Sequence, residues 1–154
     1  MFHVIMYQPE IPPNTGNVIR LCANVGASLH LVHPLGFSMD AARLRRAGLD
    51  YHEMATVTEH DELTTCLAEF PRQRLFALTT KARRPFQEVS FQADDVFLFG
   101  PETRGLPDDV LALFPADRQL RIPMRPGNRS LNLSNTVAIV LYEAWRQLAF
   151  VGAS

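Results

Sequence analysis

Ser130-Leu131-Asn132-Leu133-Ser134-Asn135 places four hydroxyl- or amide-bearing side chains where a short strand gives way to the longest helix of the chain. A helix N-terminus leaves its first N–H groups unpaired, and one such side chain is enough to cap it. The other polar groups are therefore available to a ligand. Two further clusters are over-supplied in the same way. Asn14-Thr15-Gly16-Asn17 is followed by Arg20, and Gly100-Pro101-Glu102-Thr103-Arg104-Gly105 follows a strongly apolar run. Arg20 lies one helical turn beyond Gly16 and Asn17, so the three can face one site. A guanidinium fork there suits a phosphate or ribose oxygen. Gly100 and Gly105 permit a tight turn or close backbone approach to a ligand.

Alternating strand and helix patterns position these clusters. Strands are expected over 2–7, 28–32, 55–58, 74–79, 96–99 and 119–122. Residues 8–13 read as a proline-rich loop that cannot be helical. A helix capped by Asn14 or Thr15 runs to about Val25, with Gly26 as its stop and Val18, Leu21, Cys22 and Val25 as its apolar stripe. Asp40 caps a short helix through Ala47, ended by Gly48. Residues 59–70 read as a helix stopped by Pro71, 81–92 as an irregular basic loop and 107–114 as a short helix. After a stiff loop over 123–131, the last helix spans 132–149. Leu133, Val137, Val140, Leu141, Ala144 and Leu148 form its core stripe. Ile139, Tyr142 and Trp145 remain on a second face that is too apolar for a solvated surface, and it either packs under another element or joins two subunits. The pattern gives an α/β fold with a mainly parallel sheet in a single domain, 1–154. In such sheets ligands sit beyond the carboxyl ends of the strands, and all three clusters fall there, which points to one composite site.

The bulk properties exclude several classes. The chain has 154 residues and a formal net charge of −1, so it does not grip nucleic acid by global charge. Local basic patches remain: Arg43, Arg45 and Arg46; Lys81, Arg83 and Arg84; Arg121, Arg125 and Arg129. No apolar run is long enough for a membrane helix. Strand residues begin at once, so no secretory signal is expected and a cytoplasmic protein with reduced Cys22 and Cys66 is. No glycine-rich dinucleotide fingerprint or phosphate-binding loop occurs. The five histidines, His3, His30, His33, His52 and His60, show no zinc-like spacing with cysteine or with each other.

Taken in order, the three clusters resemble the motifs of the SPOUT superfamily of S-adenosylmethionine-dependent RNA methyltransferases. The matching residues are Asn14-x-Gly16-Asn17-x-x-Arg20, then Phe99-Gly100-Pro101-Glu102-x-x-Gly105-Leu106, then Ile122-Pro123-Met124 with Ser130-Leu131-Asn132-Leu133-Ser134. Residues 9–17, 20–24 and 44–51 resemble more narrowly the branch that methylates the wobble ribose of tRNA. The resemblance implies a C-terminal deep trefoil knot, which the rarity of knots would not have suggested. It also implies a homodimer and methyl transfer to the 2′-hydroxyl of C34 or U34, with no metal required. By the same resemblance, Leu78, Gly100, Ile122, Ser130 and Leu131 hold S-adenosylmethionine. Glu102 and Asn132 hold the motif loops and the reacting groups. Arg20 activates the hydroxyl, either by taking its proton or by stabilising the developing oxyanion. The anticodon stem-loop would meet Arg20, Arg43, Arg45, Arg46, Lys81, Arg83, Arg84 and Tyr142. Methylation at another tRNA or rRNA position, a non-catalytic RNA-binding module and a nucleotide-using α/β enzyme remain the alternatives.

Overall fold

A computed structural model describes residues 1–54 and 56–154. The chain opens with β1 (His3–Tyr7) and then α1 (Pro12–Val25). α1 starts earlier than its sequence suggests. Pro12 and Pro13 occupy the first helical positions, where a missing N–H costs nothing, and Ile11 precedes them without a side-chain cap. Asn14 and Thr15 are thus buried inside the first turn rather than capping it. Gly26 ends α1 at φ 78°, where its N–H reaches the Cys22 carbonyl at 2.9 Å.

β2 (Ser28–Val32), α2 (Ala41–Arg46), α3 (Tyr51–Met54) and β3 (Val57–His60) follow. Asp40 caps α2, accepting from the Ala42 N–H at 2.7 Å. The third strand lies later than expected, and Ala55 is outside the described residues. Glu59 and His60, expected in a helix, pair with Leu31 and Val32 of β2. The helix that follows shrinks to α4 (Leu63–Leu67). Then come β4 (Leu75–Leu78), β5 (Arg84–Pro85), β6 (Val96–Phe99), α5 (Asp108–Leu111), β7 (Gln119–Arg121) and α6 (Leu133–Gln147). The basic loop over 81–92 is less irregular than it reads. It contains β5 and a 3₁₀ turn that buries Phe86. A proline in β5 suits its place at the sheet edge.

Among the described residues seven strands run parallel, in the order β3-β2-β1-β6-β4-β7-β5. β6 is therefore the middle strand, and all four of its residues are buried. Side chains alternate between two cores. Val4, Met6, Leu29, Leu31, Phe97 and Phe99 meet the buried stripes of α1 and α6 on one face. Ile5, Val32, Ala77, Val96 and Leu98 meet α4 and α5 on the other. Helices on both faces explain why the inner strands β4 and β6 are apolar throughout. Below β6, Asp95 is fully buried and takes two hydrogen bonds of 2.6 Å from Arg74, with a third from the Gln92 N–H at 2.8 Å. Among the described residues, no helix is long and apolar enough to cross a membrane.

Candidate functional site

The carboxyl ends of β4, β6 and β7 open into a hollow of about 600 Å³. Leu78 and Ile122 line it beside Phe99, Leu120 and Leu133, while Gly100, Glu102, Ser130 and Leu131 contribute from the loops. Five residues expected at a cofactor, Leu78, Gly100, Ile122, Ser130 and Leu131, thus lie around one cavity. Its walls are apolar near the strands and polar along the loop backbones, as in sites that take a drug-sized molecule. Lys81, Arg104 and Arg129 also reach the rim. Arg129 stood only in a basic patch in the sequence, and nothing in its spacing placed it at a cavity.

Gly100 is needed by its own loop. A Cβ there would stand 2.4 Å from the Leu106 nitrogen and 2.5 Å from the Gly105 carbon. The chain folds back so tightly after β6 that no other residue fits, and Gly105 takes φ 66° to complete the turn.

Two interlocks join this loop to Glu10 and Ile11, and a third joins α6 to α1. Glu102 accepts from the Glu10 N–H at 2.9 Å and from the Ile11 N–H. Glu10 returns the contact, accepting from the Thr103 N–H at 3.1 Å and hydroxyl at 2.8 Å. Those two bonds, the backbone one first, hold the Glu10 carboxyl below its ordinary pKa. Asn132 caps α6 through its Oδ1, which accepts from the Asn135 N–H at 3.3 Å and the Ser134 hydroxyl at 2.6 Å. Its Nδ2 donates to Asn14 Oδ1 at 3.1 Å, across 118 residues of sequence. The polar surplus at 130–135 is therefore partly a clasp between α6 and the first turn of α1. Glu10 was missed as a site residue, although it sits among the residues that carry the narrower resemblance.

Arg20 does not border this hollow. It lines a second one of about 320 Å³ with Gly16, Asn17, Arg43 and Leu49, and the two cavities share no wall residue. Gly16, Asn17 and Arg20 face one space, which adjoins the second and third clusters through the Asn14–Asn132 bond but has its own lining. Arg20 lies eight residues beyond the start of α1 at Pro12, about two helical turns along it. Its Nη2 donates to the Gly48 carbonyl at 2.6 Å, and its Nε lies 3.5 Å from Glu53 Oε2.

The remaining basic residues spread out. Arg43, Arg45 and Arg46 are exposed on α2. Lys81 pairs with Asp108 at 2.8 Å, which lowers that carboxyl's pKa. Arg83 is exposed, and half-buried Arg84 donates to the Asp117 carbonyl at 2.5 Å. Tyr142 stands 45% exposed on α6, edge-on to Trp145. Histidines that no spacing pairs are brought together by the sheet: His30 Nδ1 and His60 Nε2 lie 2.9 Å apart.

Residues 1–142 match the family model described as the SpoU rRNA Methylase family. A curated relative from Methylovorus glucosotrophus, a tRNA (cytidine(34)-2′-O)-methyltransferase, is 57% identical over 153 residues, covering 99% of each chain. A solved structure described by its role in the 2′-OH methylation of C/U34 on tRNA is 47% identical. It superposes with a TM-score of 0.86 over 97% of this chain and 91% of its own. The SpoU methyltransferase AviRb from Streptomyces viridochromogenes, in complex with the cofactor AdoMet, shares the fold at a TM-score of 0.80. It is 24% identical, with 98% of this chain and 58% of that one covered.

Proposed function

The chain belongs to the SpoU rRNA Methylase family, and from that premise we propose its reaction in full. It is a tRNA 2′-O-methyltransferase acting on the ribose of the wobble nucleotide, C34 or U34. The observation that carries this is the near end-to-end identity with a tRNA (cytidine(34)-2′-O)-methyltransferase. Span 1–154 is read as one methyltransferase domain.

S-adenosylmethionine, when bound, supplies an activated methyl group on its sulfonium. The hollow at the ends of β4, β6 and β7 suits it in size and in its mixture of apolar wall and backbone edge. Leu78, Gly100, Ile122, Ser130 and Leu131 are the residues that would hold it. With an activated donor, the protein's task is to bring two reactants into line and help a proton leave. Both Glu102 oxygens accept from backbone N–H groups of the 10–11 segment, which favours positioning over proton transfer for that residue. Asn132 joins α6 to α1 and positions the third motif in the same way.

Arg20 fits the role of electrostatic stabiliser. A guanidinium carries five N–H donors and does not give up its proton in proteins. Two Arg20 nitrogens already face Gly48 and Glu53, which fixes the fork and leaves donors for a ribose oxygen or the adjacent phosphate. RNA phosphates would meet Arg43, Arg45, Arg46, Lys81, Arg83 and Arg84, with Tyr142 reaching RNA or a partner subunit. A target in a loop suits such a surface, because its base can be splayed from the stack.

The same reading includes a trefoil knot and a homodimer. In support of the first, β7 follows β4 and β5 in sequence yet pairs with both, entering the sheet between them. In support of the second, Ile139 and Tyr142 are exposed on α6. A cytoplasmic location follows from the substrate.

The test is incubation with a labelled methyl donor and total tRNA, then mapping of the modified nucleotide. Label confined to the 2′-oxygen of position 34 is the expected outcome. Label at another position overturns the site assignment, and no incorporation overturns the activity.

A further inference from the structure

We propose that His30, His60 and Cys66 form a binding site for a thiophilic divalent cation, with Zn²⁺ as the fitting ion. The site lies on β2, β3 and α4 and is separate from both hollows, since none of the three residues lines either one. One ring nitrogen of His30, one of His60 and Cys66 Sγ all lie within 4.8 Å of one another, and His30 Nδ1 and His60 Nε2 are the pair 2.9 Å apart. An N₂S set of this kind suits zinc, and three protein ligands leave a fourth tetrahedral position for water.

The surroundings resemble those of a built metal site. Ligating histidines usually hold their second ring nitrogen against a polar group, which fixes ring orientation. His30 Nε2 meets the Ser28 hydroxyl at 3.3 Å, and that hydroxyl meets His3 Nδ1 at 2.5 Å. His60 Nδ1 faces the Glu69 carboxylate at 4.0 Å. The other two ring nitrogens, His30 Nδ1 and His60 Nε2, face each other at 2.9 Å, and the Cys66 thiol nearby is fully buried. A shared proton between the two rings explains their 2.9 Å separation but gives the thiol no role. Zn–N bonds of about 2.0–2.1 Å in a tetrahedron set the donors about 3.3 Å apart, so the rings need to part by only a few tenths of an ångström.

Burial keeps His30 neutral, with its pKa pushed down to about 4, and keeps the Cys66 thiol protonated, with its pKa pushed up to about 12. The entering ion displaces the thiol proton: Cys66 Sγ–H breaks, Sγ–Zn forms, and one proton leaves to water. The three ligands come from two neighbouring strands, β2 and β3, and from α4, so the ion would clamp the β3 edge of the sheet.

Tag-free protein is equilibrated with micromolar ZnSO₄, dialysed, and its metal content measured per chain. A parallel sample takes Co²⁺ for optical spectroscopy, alongside the variants Cys66→Ser and His60→Gln. The expected result is one ion per chain, a higher Tm with Zn²⁺, and a near-ultraviolet thiolate-to-Co²⁺ band. Either variant should bind at least tenfold more weakly, and Cys66→Ser should lose the band. Unmodified protein that retains no ion, or whose Co²⁺ spectrum lacks the thiolate band, overturns the proposal whether or not the variants fold. So does retention by both variants at the level of the unmodified protein.

Discussion

Arg20 and Gly100 illustrate two ways in which a residue type can mislead or inform. Arg20 was legible as a functional candidate because a cap needs no arginine one turn further on. Its partners were not legible, since Gly48 and Glu53 lie 28 and 33 residues away and reach it only through the fold of α2 and α3. In the proposed mechanism Arg20→Ala removes a donor to developing negative charge, and such losses lower turnover on the order of 10²- to 10³-fold. Single-turnover methylation should show that drop, while calorimetry shows methyl-donor affinity unchanged because Arg20 lies outside the larger hollow. Near-normal turnover would remove Arg20 from the chemistry. Gly100 was expected to make room for a ligand. Its hypothetical Cβ instead collides with the backbone of Gly105 and Leu106, so the constraint is internal to the loop. Gly100→Ala should therefore lower both Tm and methyl-donor affinity, since the turn must open to admit a methyl group. A variant with wild-type Tm and weakened binding would restore the simpler view that the ligand alone needs the space.

At the scale of elements, long apolar runs were the easiest to read. Val96–Phe99 is uninterrupted, and it is the middle strand. The core stripe of α6 is likewise buried from Leu133 to Ala144, as its period requires. Boundaries failed where local preference and tertiary pairing disagree. Glu59 and His60 favour no strand by type, yet ladder bonds to β2 hold them there. Pro12-Pro13 reads as a helix breaker, but at the first positions of a helix it is a starter. The Asp95–Arg74 pair below β6 was invisible because neither partner belongs to a motif. Asp95 is fully buried and accepts three hydrogen bonds, so Asp95→Asn leaves Arg74 without its counter-charge. Breaking such a pair costs about 3 kcal/mol, at the low end of its range because Arg74 is one-quarter exposed. Urea unfolding should show that loss with an unchanged m-value. A loss below about 0.5 kcal/mol would class the pair with exposed surface bridges.

At the scale of the whole molecule, a chain with net charge −1 must still hold a polyanion. Two copies would double each exposed arginine cluster on one particle without changing the charge of either. The proposed surface for that pairing is α6. Its inner stripe is consumed by the core, and Trp145 is held from outside by its bond to the Val151 carbonyl at 2.9 Å and by the ring of Phe150 at 5.3 Å. The turn after α6 thus folds back over Trp145 while Ile139 and Tyr142 stay 38% and 45% exposed. The apolar second face was legible from residue type, but which of its members the chain itself would cover was not. Permanent subunit contacts bury such apolar groups at their centre. Ile139→Asp or Tyr142→Asp would place a charge there, at a position that contributes little to the fold of the single chain. Sedimentation velocity should show the unmodified protein as a dimer at micromolar concentration and either variant as a monomer with a near-native circular dichroism spectrum. tRNA affinity should fall in the monomeric variants, because each particle then carries one set of arginines instead of two. An unmodified protein that sediments as a monomer would overturn the dimer. A monomeric variant with undiminished tRNA binding would leave the dimer standing but refute its role in assembling the RNA surface.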